Sequence, residues 1–176
     1  NDENLKSIYK AIKLTAKFEG GAPCGNSDNQ GLSLGILQWN IGQNTLQPLF
    51  KEYLSKYVEN AKEIFGDKYD ILNEIMQGEY AKQMDWAISI NDSNNKIIKE
   101  WNEPLKKLLK TSEFISVEEK YMKDYINNAY KIVKDYNIKT ERGLALAFDI
   151  SVQNWSISKE DRKILLKKLE EDKLSE

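Results

Sequence analysis

Phe18-Glu19-Gly20-Gly21 and, after a short spacer, Asp28-Asn29-Gln30-Gly31-Leu32-Ser33-Leu34-Gly35-Ile36-Leu37-Gln38-Trp39-Asn40 form the stretch on which the reading of the chain turns. Positions 20 to 42 hold six of the nine glycines (20, 21, 25, 31, 35 and 42) and the sole cysteine, Cys24. The alternation of Leu32, Leu34 and Ile36 predicts a short strand or hairpin there. Upstream, Leu5, Ile8, Tyr9, Ile12 and Ala16 recur at helical spacing, so Asp2 to Glu19 reads as an amphipathic helix stopped by Gly20 and Gly21. Downstream the helical period returns. Asn44 to Tyr57 carries Leu46, Leu49, Phe50, Tyr53 and Leu54 on one face, and shorter helices are predicted around 59–65, 67–76 and 79–90. Asn91 to Asn95 is a polar break. Helices over Lys96 to Lys110 and Ser116 to Tyr136 follow, the second opened by a capping box of Ser116 and Glu119. Glu141 to Asn154, nearly all small or apolar, reads as a buried central helix, and Ser158 as the cap of a final charged helix. The expected fold is mainly α: a helical domain with a small β-hairpin insertion after the first helix.

Composition narrows the chemistry. A chain of 176 residues, 40% hydrophobic and 31% charged, suits one globular domain over 1–176. With a net charge of −2, it lacks the broad basic face of a nucleic-acid binder, and none is expected as a partner. Histidine is absent. That excludes Ser-His and Cys-His nucleophilic catalysis and histidine metal sites. A single cysteine permits no internal disulfide and no cysteine metal cluster; neither metal nor organic cofactor is implied, and Cys24 is expected to be inert. Acid–base work must fall to carboxylates, lysines or tyrosines. No apolar run is long enough for a membrane span. The chain begins at Asn1 without a signal-peptide pattern, and is expected to be a processed protein or a domain of a longer one, acting as a monomer.

Glu19 is the most informative carboxylate. The last turn of a helix carries partial negative charge, which favours the protonated acid, and Phe18 with partial burial adds to the effect. A carboxyl that stays protonated near neutral pH is what a general acid requires. Asp28 sits among Asn26, Ser27, Asn29 and Gln30, a polar setting that keeps it ionised. Two carboxyls in opposite environments make the acid and base of glycoside hydrolysis, and Ser33 is placed to hold the attacking water. Each has a plainer alternative: Glu19 a solvated charge, Asp28 an Asx-turn residue, Ser33 a strand hydroxyl bonded to backbone.

The helix-terminal Glu19, the glycine-bearing loop and Asp28-x-x-Gly31-x-Ser33-x-Gly35-Ile36 resemble the active-site region of the family 46 chitosanases, inverting enzymes of the lysozyme superfamily. The resemblance implies a lysozyme-like fold, with Glu19 as acid, Asp28 as base and Ser33 positioning the water. The nine residues from Glu19 to Asp28 are fewer than in those enzymes, and Asn29 stands where they have glycine. Gly35-Ile36-Leu37-Gln38 is similar to an element of goose-type lysozymes and lytic transglycosylases. Gly31 to Phe50 looks like lysozyme-like domains of bacterial and phage peptidoglycan-active proteins. Ala147 to Asn154 resembles a buried chitosanase helix that passes near the cleft.

The expectation is therefore a muramidase-like hydrolase acting on peptidoglycan or a related amino-sugar polymer, secreted or associated with the cell wall. A chitosanase, a lytic transglycosylase using Glu19 alone, and a silent glycan-binding module are the alternatives. Gln38, Trp39, Asn40, Gln153 and Asn154 are the expected sugar contacts. Gln38 and Asn40 are equally suited to satisfying loop backbone, and Trp39 to the core. Asp149, inside an apolar helix, needs a buried partner and reads as an anchor.

Overall fold

The computed structural model describes residues 21–135 together with 137, 147, 148, 151 and 167. The helix predicted over Asp2 to Glu19, and Glu19 with it, lies outside these residues. So do Asp149, Gln153 and Asn154, and the final helix apart from Lys167. The chain divides into two compact units, Lys10–Tyr121 and Asn1–Tyr9 with Met122–Glu176. The protein is mainly helical, with a small two-stranded antiparallel hairpin among the described residues.

The hairpin pairs β1 (Ser33–Leu34) with β2 (Trp39–Asn40), Ser33 opposite Asn40 and Leu34 opposite Trp39. Cross-strand partners share a face, so the apolar pair Leu34 and Trp39 lies on one side and the polar pair Ser33 and Asn40 on the other. Ile36, the third residue of the predicted alternation, falls in the turn rather than in a strand.

Through Asp135 the described residues then form α1 (Leu46–Lys56), α2 (Val58–Phe65), α3 (Tyr69–Gln77), α4 (Tyr80–Ser89), α5 (Lys99–Leu108) and α6 (Ser112–Asp135). Their breaks have local causes. Gly66 ends α2 at φ +56, a conformation that costs glycine little, and its N–H closes onto the Lys62 carbonyl. Between α4 and α5 the Asp92 carboxylate accepts the Asn94 and Lys96 N–H groups, and Asn91 bridges Ile97. This Asx-type structure holds the chain out of the helix until Lys99, three residues later than the apolar pattern predicts. The core of the larger unit gathers on α1, whose Leu46, Leu49, Phe50, Tyr53 and Leu54 are fully buried. The Phe114 ring stands edge-on to Tyr53 at 5.6 Å and tilted to Phe50 at 6.2 Å.

The start of α6 corrects the sequence reading. The helix begins at Ser112, not at Ser116, and Thr111 caps it by accepting the Phe114 N–H on its hydroxyl. Ser116 sits inside the helix and donates back to the Glu113 carbonyl. The apparent capping box is thus an interior Ser followed by a Glu. In the smaller unit, α6 buries Met122, Ile126 and Ala129. Ala147, Phe148 and Ser151 are helical and buried, as expected of the central helix, and the Ser151 hydroxyl donates to the Tyr125 carbonyl.

Candidate functional site: the turn-rich insertion

Residues 21 to 45 form a backbone framework wider than the two strands. Cys24 exchanges both backbone hydrogen bonds with Ser33, at 2.7 and 3.0 Å, and the Gly35 N–H donates to the Gly21 carbonyl at 2.8 Å. Residues 21–24 therefore run antiparallel beside 33–35, on the edge of β1 away from β2. Beyond the strands, the Ile41 N–H bonds the Leu32 carbonyl and the Gly42 N–H the Gln30 carbonyl. Thr45, at the N-cap position of α1, does not cap it. Its hydroxyl accepts the Asn40 N–H at 2.8 Å and so ties the hairpin to the helix.

Asp28 ends a single 3-10 turn, Asn26–Asp28, and is exposed. Its Oδ1 accepts the Gln30 N–H at 3.1 Å, an Asx turn. Two asparagines hold the loop beneath it. Asn26 Oδ1 accepts the Gly31 N–H at 2.8 Å, and Asn91 Oδ1 accepts the Asn26 N–H at 3.0 Å. Asn91 also donates to the Ala87 carbonyl of α4 at 2.7 Å. The polar break seen in the sequence is thus a clamp on the loop that carries Asp28.

Ser33 is 4% exposed. Its backbone is paired on both edges, but among the described residues its hydroxyl has no hydrogen-bond partner. It is not the backbone-satisfied strand serine of the plainer reading.

Gln38 is exposed at φ +51. Its N–H and its side-chain Nε2 both donate to the Gly35 carbonyl, at 3.0 and 3.2 Å, and close the turn. Trp39 and Asn40 correct the expectation of sugar contact. Trp39 is only 3% exposed, and its indole N–H donates to Glu118 Oε1 at 3.0 Å. A ring so enclosed offers no face for a sugar to stack on. Asn40 Oδ1 accepts the Gln43 N–H at 2.8 Å and its Nδ2 donates to Gln43 Oε1 at 3.1 Å. Its amide is committed to shaping the exit from the hairpin.

Glu118 was not singled out in the sequence, yet it is the most unusual charge in the larger unit. It lies on α6 and is 6% exposed. Its Oε1 accepts the Ile36 N–H at 2.7 Å as well as the Trp39 indole. Burial pushes its carboxyl above the ordinary value, and the two donated bonds pull the other way and offset only part of the shift. The signal was present: Glu118 stands four residues after Phe114 and four before Met122, on the stripe that the helix buries. A carboxylate on such a stripe needs a partner.

Among the described residues no three His, Cys, Asp or Glu side chains gather as a metal site, and no helix is long and apolar enough to cross a membrane. Compared with known proteins, the chain matches no family profile, no curated protein and no solved structure.

Proposed function

We propose that the chain is a glycoside hydrolase that cleaves the glycan strands of bacterial peptidoglycan, and so acts at the cell wall. In this reading Glu19 protonates the glycosidic oxygen. Asp28 takes the proton from a water that attacks the opposite face of the sugar, and Ser33 orients that water. An inverting displacement of this kind holds the two carboxyls about 6.5–9.5 Å apart, to leave room for the water. Glu19 is read from sequence, from its place before Gly20-Gly21 and from the family resemblance.

The observation that carries the reading is the Ser33 hydroxyl, on the polar face of the hairpin and without a hydrogen bond to another described residue. A hydroxyl with no bond to the protein around it is available to hold a water or a sugar hydroxyl. Asp28 adds to the case. The Gln30 N–H holds one oxygen of an exposed carboxylate, which leaves Oδ2 to accept a proton.

The test is digestion of purified peptidoglycan and of chitosan, with products read by mass spectrometry. New reducing ends on the peptidoglycan fragments are expected. Glu19→Gln and Asp28→Asn should each lower turnover by about 10²–10⁴-fold with an unchanged circular dichroism spectrum. An active Glu19→Gln protein overturns the proposal. Ends carrying 1,6-anhydro sugars, with Asp28→Asn fully active, replace it by a lytic transglycosylase. Cleavage of chitosan alone moves the substrate, and binding without cleavage of either polymer leaves a glycan-binding module.

A further inference from the structure

We propose that Tyr80 is the aromatic platform of this site, on which a sugar ring of the glycan stacks beside Asp28. The proposal rests on the reading of the site as one that takes an amino-sugar polymer, and it gives Tyr80 the part that the sequence pattern offered to Trp39.

An exposed tyrosine ordinarily lays its ring on the protein and turns its hydroxyl to water. Tyr80, the first residue of α4, does the reverse. Its hydroxyl donates to the Gly42 carbonyl at 3.0 Å, yet the residue is 45% exposed, so the ring is what meets solvent. It is the only exposed aromatic among the described residues. The tether fixes the ring before a ligand arrives, which lowers the entropy cost of stacking on it. The same tether places the ring beside Asp28. The Gly42 N–H donates to the Gln30 carbonyl at 3.0 Å, and the Gln30 N–H to Asp28 Oδ1 at 3.1 Å. Gln30 also fills the space that a side chain on Gly42 would need. Hydrogen bonds through Gly42 and Gln30 thus join the ring's hydroxyl to the carboxylate, a span of at most about 16 Å. One face of α4 carries both ends of that span. Met84 and Ala87, four and seven residues after Tyr80 and on its side of the helix, pack on Gly31, where an added Cβ would stand 2.8 Å from the Ala87 methyl and 3.5 Å from the Met84 sulfur. The surface beside Gly42 is rich in amides. Gln43 and Asn44 are exposed; their side-chain oxygens accept from Asn40 and Gln47, and their side-chain N–H groups bond no described residue. Free amide donors beside an exposed ring suit an amino sugar, whose hydroxyl and acetamido oxygens take the donors while its C–H face covers the ring.

The test compares Tyr80→Leu and Tyr80→Phe with the natural protein, using steady-state kinetics on peptidoglycan and calorimetric titration with the soluble N-acetylglucosamine hexamer, the titrations in a Glu19→Gln background to block turnover. Tyr80→Leu should weaken hexamer binding and raise KM by about 10- to 30-fold, with kcat within about threefold. Tyr80→Phe keeps the ring and loses the tether, and should stay within about threefold of the natural protein in affinity and KM. In the natural protein the Tyr80 ring protons should shift on hexamer addition by nuclear magnetic resonance. That measurement needs no variant, and it decides alone should Tyr80→Leu fail to fold. Equal losses in the two variants overturn the platform and leave a tether, and full affinity in a folded Tyr80→Leu protein overturns it outright. Either result leaves the hydrolase reading standing while peptidoglycan is cleaved. Binding that depends on the ring, without cleavage, keeps the platform and sinks the hydrolase. A natural protein that neither binds the hexamer nor cleaves peptidoglycan sinks both.

Discussion

The insertion over residues 21–45 and the helices that follow it are held by different forces. From α1 to α5 the chain is held by apolar contact, with Leu49, Phe50, Tyr53, Leu72, Met76 and Leu105 fully buried. Such contacts are numerous and non-directional, and a core of this kind tolerates swaps that conserve volume. The insertion contributes Leu32, Leu34, Ile41 and Trp39 to the buried apolar set, but its turns are fixed by hydrogen bonds rather than by packing alone. Two of those turns use single acceptor atoms brought in from far along the chain, Asn91 Oδ1 for the Asn26 N–H and Glu118 Oε1 for the Ile36 N–H. Each such bond has one geometry and no substitute. The lesson is that the body is sensitive mainly to loss of volume, whereas the turns of the insertion are sensitive also to loss of a single acceptor atom.

The largest test of that contrast is Phe114→Ala, in the apolar body. Deleting a ring packed on Phe50 and Tyr53 should cost about 3–5 kcal/mol, seen as a lower urea midpoint with an unchanged slope. A cost near zero would mean that the body is not organised around that cluster. Gly35→Ala adds a single methyl and should still cost about 2–4 kcal/mol, since it combines a left-handed backbone with a collision against the buried carboxylate. The mirror experiment at Gly66, also left-handed but with open space around the added methyl, should cost only the conformational part, about 1–2 kcal/mol. Equal effects at the two glycines would break the claim that the insertion is closely fitted.

The effect of pH sharpens the contrast further. Because Glu118 titrates higher in the folded protein than in the unfolded chain, folding takes up its proton more readily. The associated stability is fully present below the ordinary carboxylate value and is lost as pH rises through the folded value. Glu118→Gln should remove that decline, read as a flatter dependence of the urea midpoint on pH relative to the natural protein. An unchanged profile would mean that the carboxylate is not held in a low-dielectric site. The smallest effect is expected at the surface. Lys120 meets Glu52 at 2.7 Å, but its side chain is largely exposed, so Lys120→Met should change stability by less than about 1 kcal/mol, and less still in 1 M salt.

The helical body was legible in the sequence because periodicity reports directly which face is buried. The pattern of Leu46, Leu49, Phe50, Tyr53 and Leu54 predicts α1 to within two residues at either end, and the alternation of Leu32 and Leu34 finds the hairpin. What the pattern does not carry is which distant donor needs which acceptor. Glu118 and Asn91 read as a polar residue on a helix and part of a loop. Their roles exist only once α6 and α4 bring them to the insertion. The same blindness led to the misplaced start of α6, where Ser116 and Glu119 have the spacing of a capping box and Thr111 performs the capping. Trp39 shows the opposite limit: an aromatic beside polar neighbours suits core and sugar platform alike, and only the bond from its indole to Glu118 decides.

The distance along the chain between Ile36 and Glu118, 82 residues, has a consequence for how the molecule is made. At about 5–20 residues per second of synthesis, the turn leaves the ribosome roughly 4–16 s before its acceptor does. During that interval the Ile36 amide can be satisfied by water alone. Closing so long a loop is also entropically slow, so the insertion should be among the last parts to lock during refolding, after α1 has its core. A nascent chain released before residue 118 would then carry helices without the locked turn.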